Sequence, residues 1–598
     1  MHKSKIIRME LFFSIILGFL AVRGFRYTVT EEILSPVNTE SFIWLLLLLF
    51  FIWVIDRSFR AKDKALILYS ALFGITTALC YILGISMEKV KRISWMWINS
   101  GYLLNALNLF FSHALLYYCF AYLTFGFLRK HGSNSTAHEF SFKRVILIWV
   151  ILILLYLPWY LYCFPGNLTQ DSADQLDDAI TVDAIRDHHS AFLTLMMRIV
   201  IVPIRALTGS LQLGTGAVSL LQMLIVTFVF ALAYEWLQQY LPGRILRGLA
   251  FLCYAAYPIH YFYAVTMWKD ILFSVGFLAF LLCIDAAASD EDVFFGSRRK
   301  MIHLTVLLVL LPLMRHNGIS IVVITAFCLL LRFPAHRKQL LLIFGGFVLL
   351  FGFWKLIALP AMNVTKITSS HVFSVLEQQM ARAMNVHHEE LSEEEMTKFT
   401  TYFDIGDLWS RYNPILSDSV KKHFREELFE EDPKGFFALW LKLGRRYPVD
   451  YIEAFLANNY GYWFPGTHSG FIAYGIEDKG LIEDVHSAPV FELPGKINSR
   501  VLTFFDEEQY LKTPLLPLLF SRGACFWLWV FCGCYCLYNN RRKFILFIPG
   551  FSLWLGILIS PVYNEYRYVY GLFAALPLML ASSLSGSDKT NKEMIVGE

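Results

Sequence analysis

Apolar runs that are candidates to cross a bilayer as helices, which takes about 20 residues, recur along the chain, several of them shorter than that. They lie near 7–24, 41–55, 65–86, 100–127, 145–163, 214–236, 247–267, 271–287, 301–314, 318–332, 339–359, 514–538, 544–560 and 569–583. Only helices or closed barrels satisfy their backbone in lipid, so the pattern predicts an all-α polytopic membrane protein of about fourteen transmembrane helices. The first run follows Lys3, Lys5 and Arg8 without a small-x-small cleavage site and reads as a retained anchor. Between the eleventh and twelfth runs the pattern breaks. Residues 361–513 hold 24 of the 48 carboxylates against 15 Lys and Arg, which predicts a separate, acidic, mostly helical domain outside the membrane. The chain thus divides into a four-span N-terminal extension (1–144), a membrane core (145–360) whose first loop covers 164–213, the acidic domain (361–513), C-terminal spans (514–583) and a polar tail (584–598).

Lys and Arg in short loops set orientation. The loops "DRSFRAKDK" (56–64), "RKHGSNSTAHEFSFKR" (129–144), "PGRILR" (242–247), "SRRK" (297–300), "AHRK" (335–338) and "NNRRK" (539–543) are basic, and the alternate loops are poorer in Lys and Arg, "EKVKR" (88–92) excepted. That parity predicts a multi-pass membrane protein with both termini cytoplasmic. It also gathers the polar breaks on the extracytoplasmic face: "FPGNLTQDSADQLDDAIT" (164–181), "WKD" (268–270), "RHNG" (315–318), "SPVYNEYRY" (560–568) and the acidic domain.

Composition agrees: 56% of the 598 residues are hydrophobic and 17% charged, against roughly 25% charged in soluble domains. The net charge of +4 carries no nucleic-acid signal. The ten cysteines show neither zinc spacing nor a secreted disulfide framework. No G-x-x-x-x-G-K-[ST] loop and no G-x-G-x-x-G after a strand is present, so nucleotide-driven transport has no support.

The polar breaks supply the candidate chemistry. Asp171 and Asp174, three apart, share a helix face and suit a general base; the alternative is an acidic helix start capped by Thr169 or Asp171. Asp177 and Asp178 read as solvated. His188 and His189, beside Asp183 and Asp187, suit hydrogen bonding to a substrate. Adjacent histidines rarely aim at one ion, so no metal site and no cofactor is assigned; a divalent ion on Asp270 and the His188–His189 pair is the alternative. Lys269 and Asp270 open a span, where a snorkelling pair is the plainer reading. Arg315 and Asn317 break an apolar hairpin on the side disfavoured for cations, which suggests an anionic partner. Arg567 stands before the last span, with Glu565 to orient it or merely pair with it. Arginine matches phosphate oxygens bidentately, and an interfacial anchor between Tyr566 and Tyr568 is the alternative. The run "EELSEEEMTK" (389–398) reads as a solvated helix, and "NNYGYWFPGTHSG" (458–470) could stack on sugar rings.

The order of these motifs resembles that of GT-C membrane glycosyltransferases. "FPGNLTQDSADQ" followed by "DHHSAFLTLMMRI" (187–199) as a juxtamembrane amphipathic segment looks like their first outer loop. "MWKDILFS" (267–274), "RHNGI", "RRYPVDYIEAFLANNYGYWFPG" (445–466) and "NEYRYVYGLFAALPLML" (564–580) are similar to an uncharacterised bacterial branch, over roughly residues 145–583. The branch shows His-His-Pro where this chain has His188-His189-Ser190, which alters the turn holding the pair. The resemblance implies a GT-C-like bundle and an inverting transfer of a sugar from a polyprenyl-phosphate donor to a cell-envelope glycan or lipid acceptor. Asp171, with Asp174 beside it, would be catalytic; His188, His189, Lys269, Asp270, Arg315, Asn317, Glu565 and Arg567 would bind substrate. The partners implied are donor, acceptor and membrane lipids, without nucleic acid. Two other classes remain: a surface-polysaccharide polymerase or ligase using a diphosphate-linked donor, and a lipid or polysaccharide transporter. The acidic outer domain counts against the first, and span centres nearly free of charge count against the second.

Overall fold

The computed structural model describes residues 2–30, 42–131, 138–181, 185–364, 373–404, 412–467, 516–559, 561 and 565–585. Among them no β-strand forms, only isolated bridges. Nine of the described helices are long and apolar enough to cross a membrane, and Gly318–Arg332 is a shorter apolar one. The chain is an all-α polytopic membrane protein.

Helices α1 (His2–Thr30), α2 (Phe42–Phe59), α3 (Lys64–Val90) and α4 (Ser100–His131) pack on one another. Asp63 caps α3, accepting from Leu66 N at 3.0 Å, and its other oxygen accepts from Tyr538 Oη at 2.8 Å. That second bond ties the N-terminal unit to the C-terminal spans.

The membrane core follows with α5 (Phe142–Tyr162), the short amphipathic α6 (Gln170–Ile180), α7 (Ala191–Thr208) and α8 (Leu211–Leu237). α7, expected as a juxtamembrane amphipathic segment, has the length and hydropathy of a span. The 247–267 run, expected as one span, is two helices, α9 (Gly243–Ala256) and α10 (Pro258–Val265). Pro258 has no amide to donate and forces extended backbone on Tyr257 (φ −76°, ψ 117°), so neither half is long enough to cross. Then come α11 (Lys269–Ser289), α12 (Glu291–Phe295), α13 (Arg298–Met314), α14 (Gly318–Arg332) and α15 (Arg337–Phe353), the last running on through a π-helical turn at Trp354–Ala358.

The acidic domain is helical where it is described: α16 (Ser374–His387), α17 (Glu393–Tyr402), α18 (Pro433–Arg446) and α19 (Pro448–Asn459) enclose their own core of Met380, Met384, Phe399, Phe436, Leu439 and Leu443. Residues 468–513 lie outside the described residues. The acidic run at 389–398 is not wholly solvated. Glu395 closes a capping box with Ser392, is buried, and pairs with Lys442 at 3.0 Å and Arg446 at 3.4 Å. The domain docks on the N-terminal unit through Glu453, which accepts from Ile93 N (2.7 Å) and Ser94 N (2.9 Å) and pairs with Arg382.

The C-terminal helices are α20 (Arg522–Asn539), α21 (Ile548–Ile559) and α22 (Tyr570–Leu584). At the end of the bundle bearing the basic loops, Asp285 of α11 is fully buried yet satisfied. It accepts from Trp236 Nε1 (2.7 Å), Tyr240 Oη (2.6 Å) and Ser582 Oγ (2.7 Å). That end is a closed lock. The other end is built differently.

Candidate functional site

Two loops are stitched together there. Gly166 adopts φ +138°, and a Cβ at that position would meet Ser219 Cβ at 3.0 Å and Val265 O at 3.1 Å, so only glycine lets the loop close in. Next to it, Asn167 N donates to Val265 O (2.9 Å) and Met267 N donates to Asn167 O (3.1 Å). Trp268 Nε1 donates to Thr169 Oγ1, which lies 3.1 Å from Ser172 Oγ; Ser172 donates onward to Met267 O at 2.8 Å. This relay fixes the first turn of α6 against the N-terminus of α11. It is why Asp171 and the Lys269–Asp270 pair, about a hundred positions apart in the chain, share one site.

Two further cations complete it. Arg567 hydrogen-bonds Asp171 Oδ2 through a terminal nitrogen and pairs with Glu565 through Nε. Its guanidinium carbon lies over the rings of Trp268 (4.8 Å) and Tyr568 (4.9 Å). Arg315 lies 3.1 Å from Asp270 and 4.8 Å from the Tyr568 ring. Asp270 is fully buried, and neither of its oxygens has a hydrogen-bond partner. Lys269 is electrostatically coupled to Asp270, Asp171, Arg567 and Arg315. Burial would raise the Asp171 carboxyl, but the positive charge of Arg567, and then of Lys269, outweighs it and holds the group below the usual aspartate range. Glu565 goes the other way: burial lifts it above the usual glutamate range despite Arg567, and the negative charges of Asp171 and Asp270 add to the rise.

The remaining expected residues sit at the edge. Asp174 is half exposed and faces His189 Nε2 at 3.9 Å, and the His189 carbonyl accepts from Gln175 Nε2 at 2.8 Å. The His188 side chain and Asp183 lie outside the described residues. Asn317 precedes α14; its carbonyl accepts from Ser320 Oγ at 2.7 Å, and no described contact joins its side chain to the charged cluster. Asp178, expected to be solvated, is buried against Arg186 at 2.9 Å. The expected sugar platform is not open: Tyr460, Tyr462, Trp463 and Phe464 are at most 4% exposed and pack in the main apolar core, against the N-terminal unit and the C-terminal helices.

Sequence reasoning passed over a second cluster. Lys355, on the π-helical turn after α15, pairs with Asp187 Oδ2 at 2.9 Å, and His316 Nε2 donates to the Asp187 carbonyl at 2.7 Å. Burial lowers the His316 imidazole despite Asp187 beside it. A lone lysine in an apolar run was the available signal for Lys355. Trp268 and Tyr568, the rings over which Arg567 lies, were also passed over. Among the described residues, no three His, Cys, Asp or Glu side chains converge as a metal site would require.

Below the cations an apolar groove of about 300 Å³ opens between α7, α8, α11 and α13. Gln175, Trp268 and Lys269 form its polar mouth, and Leu272, Gly276 and Leu307 lie deeper. The arrangement suits an amphiphile: cations for an anionic head, an apolar trench for a tail, and a carboxylate at the rim within reach of a second reactant.

Fold and site therefore define a polytopic all-α membrane protein with a cluster of charged side chains at one end of its bundle, beside an apolar groove. The chain belongs to the family of unknown function DUF6020, whose model matches residues 180–595. The match takes in Lys269, Asp270, Arg315, Glu565 and Arg567, and begins after Asp171 and Asp174. No curated protein and no solved structure matches the chain.

Proposed function

We propose that the protein is a GT-C-type membrane glycosyltransferase, with about fourteen spans, that moves a sugar from a polyprenyl-phosphate donor to an envelope glycan or lipid on the extracytoplasmic face. The observation that carries this is the meeting of Asp171, Lys269, Arg315 and Arg567 in one charged cluster, whose Lys269 also lines an apolar groove. The cations stabilise the charge that builds on the leaving phosphate. Asp171 takes the proton from the acceptor hydroxyl. Held low by Arg567, it is ionised at every physiological pH, which is the form a base needs. Asp174 faces His189 rather than the cations and is the weaker candidate.

Membranes carrying the chain should form glycan from polyprenyl-phosphate sugars. Asp171→Asn should lose roughly 10²–10⁴ in turnover, with protein level and lipid-phosphate affinity retained. Normal turnover in Asp171→Asn with loss in Asp174→Asn would move the base by three residues. Product from diphosphate-linked donors alone would replace this activity with that of a polymerase or ligase.

A further inference from the structure

On one face of α11, Gly276, Ala279, Cys283 and Ala286 follow one another at helical spacing, and all four line open space. Small residues in membrane helices normally let a neighbouring helix approach closely. Here the face is left open: a Cβ added at Gly276 would meet only Met314, at 3.5 Å from its sulfur. The groove below Lys269 reaches Ala279 and Leu307. The same two residues line a second cavity of about 520 Å³, which continues between α8, α11 and α13 to Trp236, Lys300 and His303.

We infer that the two cavities form one cleft for a single linear apolar tail, which enters beside Lys269, crosses mid-depth over Ala279 and ends near Lys300. On the transferase reading above, the occupant is the tail of the donor phosphate, and the cleft selects for length. α11 has 21 residues, so at about 1.5 Å per residue it is about as long as the hydrocarbon core is thick, roughly 30 Å. A tail confined to one leaflet would leave the far cavity unfilled. The mid-depth lining is apolar, with Ala279, Leu282 and Leu307, so a charged head cannot travel along the cleft. It is a berth for a tail and not a transport path.

The test uses the full chain in nanodiscs, with two probes bearing the same head: farnesyl phosphate, whose tail is short, and undecaprenyl phosphate, whose tail outruns a leaflet. A tail leaving lipid for protein gains packing contacts rather than burial from water, so the preference for the long tail should be modest, on the order of three- to tenfold. Ala286→Phe, which fills only the far half, should erase that preference and leave farnesyl phosphate binding unchanged; Cys283→Leu, a smaller plug, should act in the same direction. Equal affinity for both tails in the natural protein would overturn the cleft. So would a preference that survives Ala286→Phe, the outcome expected if the far cavity holds a separate phospholipid. Matched alcohols without phosphate keep the two readings apart. If phosphate adds nothing at any length, the donor-site reading fails, while dependence on tail length still decides the cleft.

Discussion

Replacing Arg567 by lysine separates a phosphate ligand from an interfacial anchor. The guanidinium is only 11% exposed and uses its whole fork: one terminal nitrogen on Asp171, the other 3.1 Å from Tyr568 Oη, and Nε beside Glu565. Nε has no well-formed hydrogen bond in this state, and Glu565, raised by burial, is the carboxyl most easily neutralised. A phosphate oxygen can take that edge while Asp171 keeps its own. Lysine offers a point charge that could stay with Asp171 but cannot also serve the Nε edge. Losing one hydrogen bond to a charged group costs about 1.5–3 kcal/mol, which is roughly ten- to a hundredfold in affinity. Titrating a purified lipid phosphate into Arg567→Lys and Arg567→Ala should show losses of at least that size in both. An anchor would accept lysine. Unchanged lipid-phosphate affinity in Arg567→Lys, with only a lower melting temperature, would refute the reasoning.

Arg315→Gln removes the arginine paired with the buried Asp270 carboxylate and leaves only the more diffuse charge of Lys269 and Arg567 to offset it, a change that costs up to about 3–5 kcal/mol; the melting temperature should drop, and adding Asp270→Asn should recover much of the loss. Glu377 of α16 is fully buried with neither oxygen hydrogen-bonded, and burial pushes its carboxyl up to about 8, Lys421 opposing and Glu426 adding. Because the folded state holds this proton where the unfolded chain would not, its stabilisation is complete below the ordinary glutamate range and is lost as pH rises toward 8. Hydrogen exchange in α16, corrected for its intrinsic pH dependence, should therefore quicken as pH rises from the ordinary glutamate range to about 8, and Glu377→Gln should flatten that dependence; an unchanged pH profile in the variant would show that another group titrates.

Much of the site was visible in the sequence because each member breaks an apolar run, and a charge at such a place is conspicuous in any hydropathy plot. Pairing was not visible. Lys269 and Asp270 are neighbours in the chain, but successive residues on a helix point about 100° apart, so Asp270 reaches Arg315 while Lys269 turns among Asp171, Arg567 and the groove. Asp187 and Lys355 are 168 positions apart, and no spacing rule joins them. The 247–267 run misled for a simple reason: averaged hydropathy runs straight across Pro258, whereas the backbone cannot. The aromatic segment at 458–470 misled differently. Rings that suit a sugar platform also suit a buried joint, and composition does not tell the two apart. Its backbone is taken by the spans: Trp527 Nε1 donates to Trp463 O at 2.9 Å, and Ser521 Oγ donates to Pro465 O at 2.9 Å.

The way exposure is distributed through the cluster bears on which anions could reach it. The rim is carboxylate, with Asp171 38% and Glu565 33% exposed. The floor is cationic and closed, with Arg567 at 11% and Arg315 at 10%. A soluble phosphate approaching from water meets negative charge first and is disfavoured before it contacts a cation. An anion whose apolar tail lies in the groove presents its head to Lys269 at the mouth without crossing that rim. On the proposed function, the same charges that stabilise a leaving phosphate also sort its source, admitting one borne on a membrane-embedded tail and turning away its free counterpart. Inorganic phosphate should accordingly compete poorly with lipid phosphate. Removing the rim charge with Asp171→Asn should improve that competition, even as it cuts turnover. Equal competition before and after the substitution would show that the rim does no sorting and that the tail alone decides what binds.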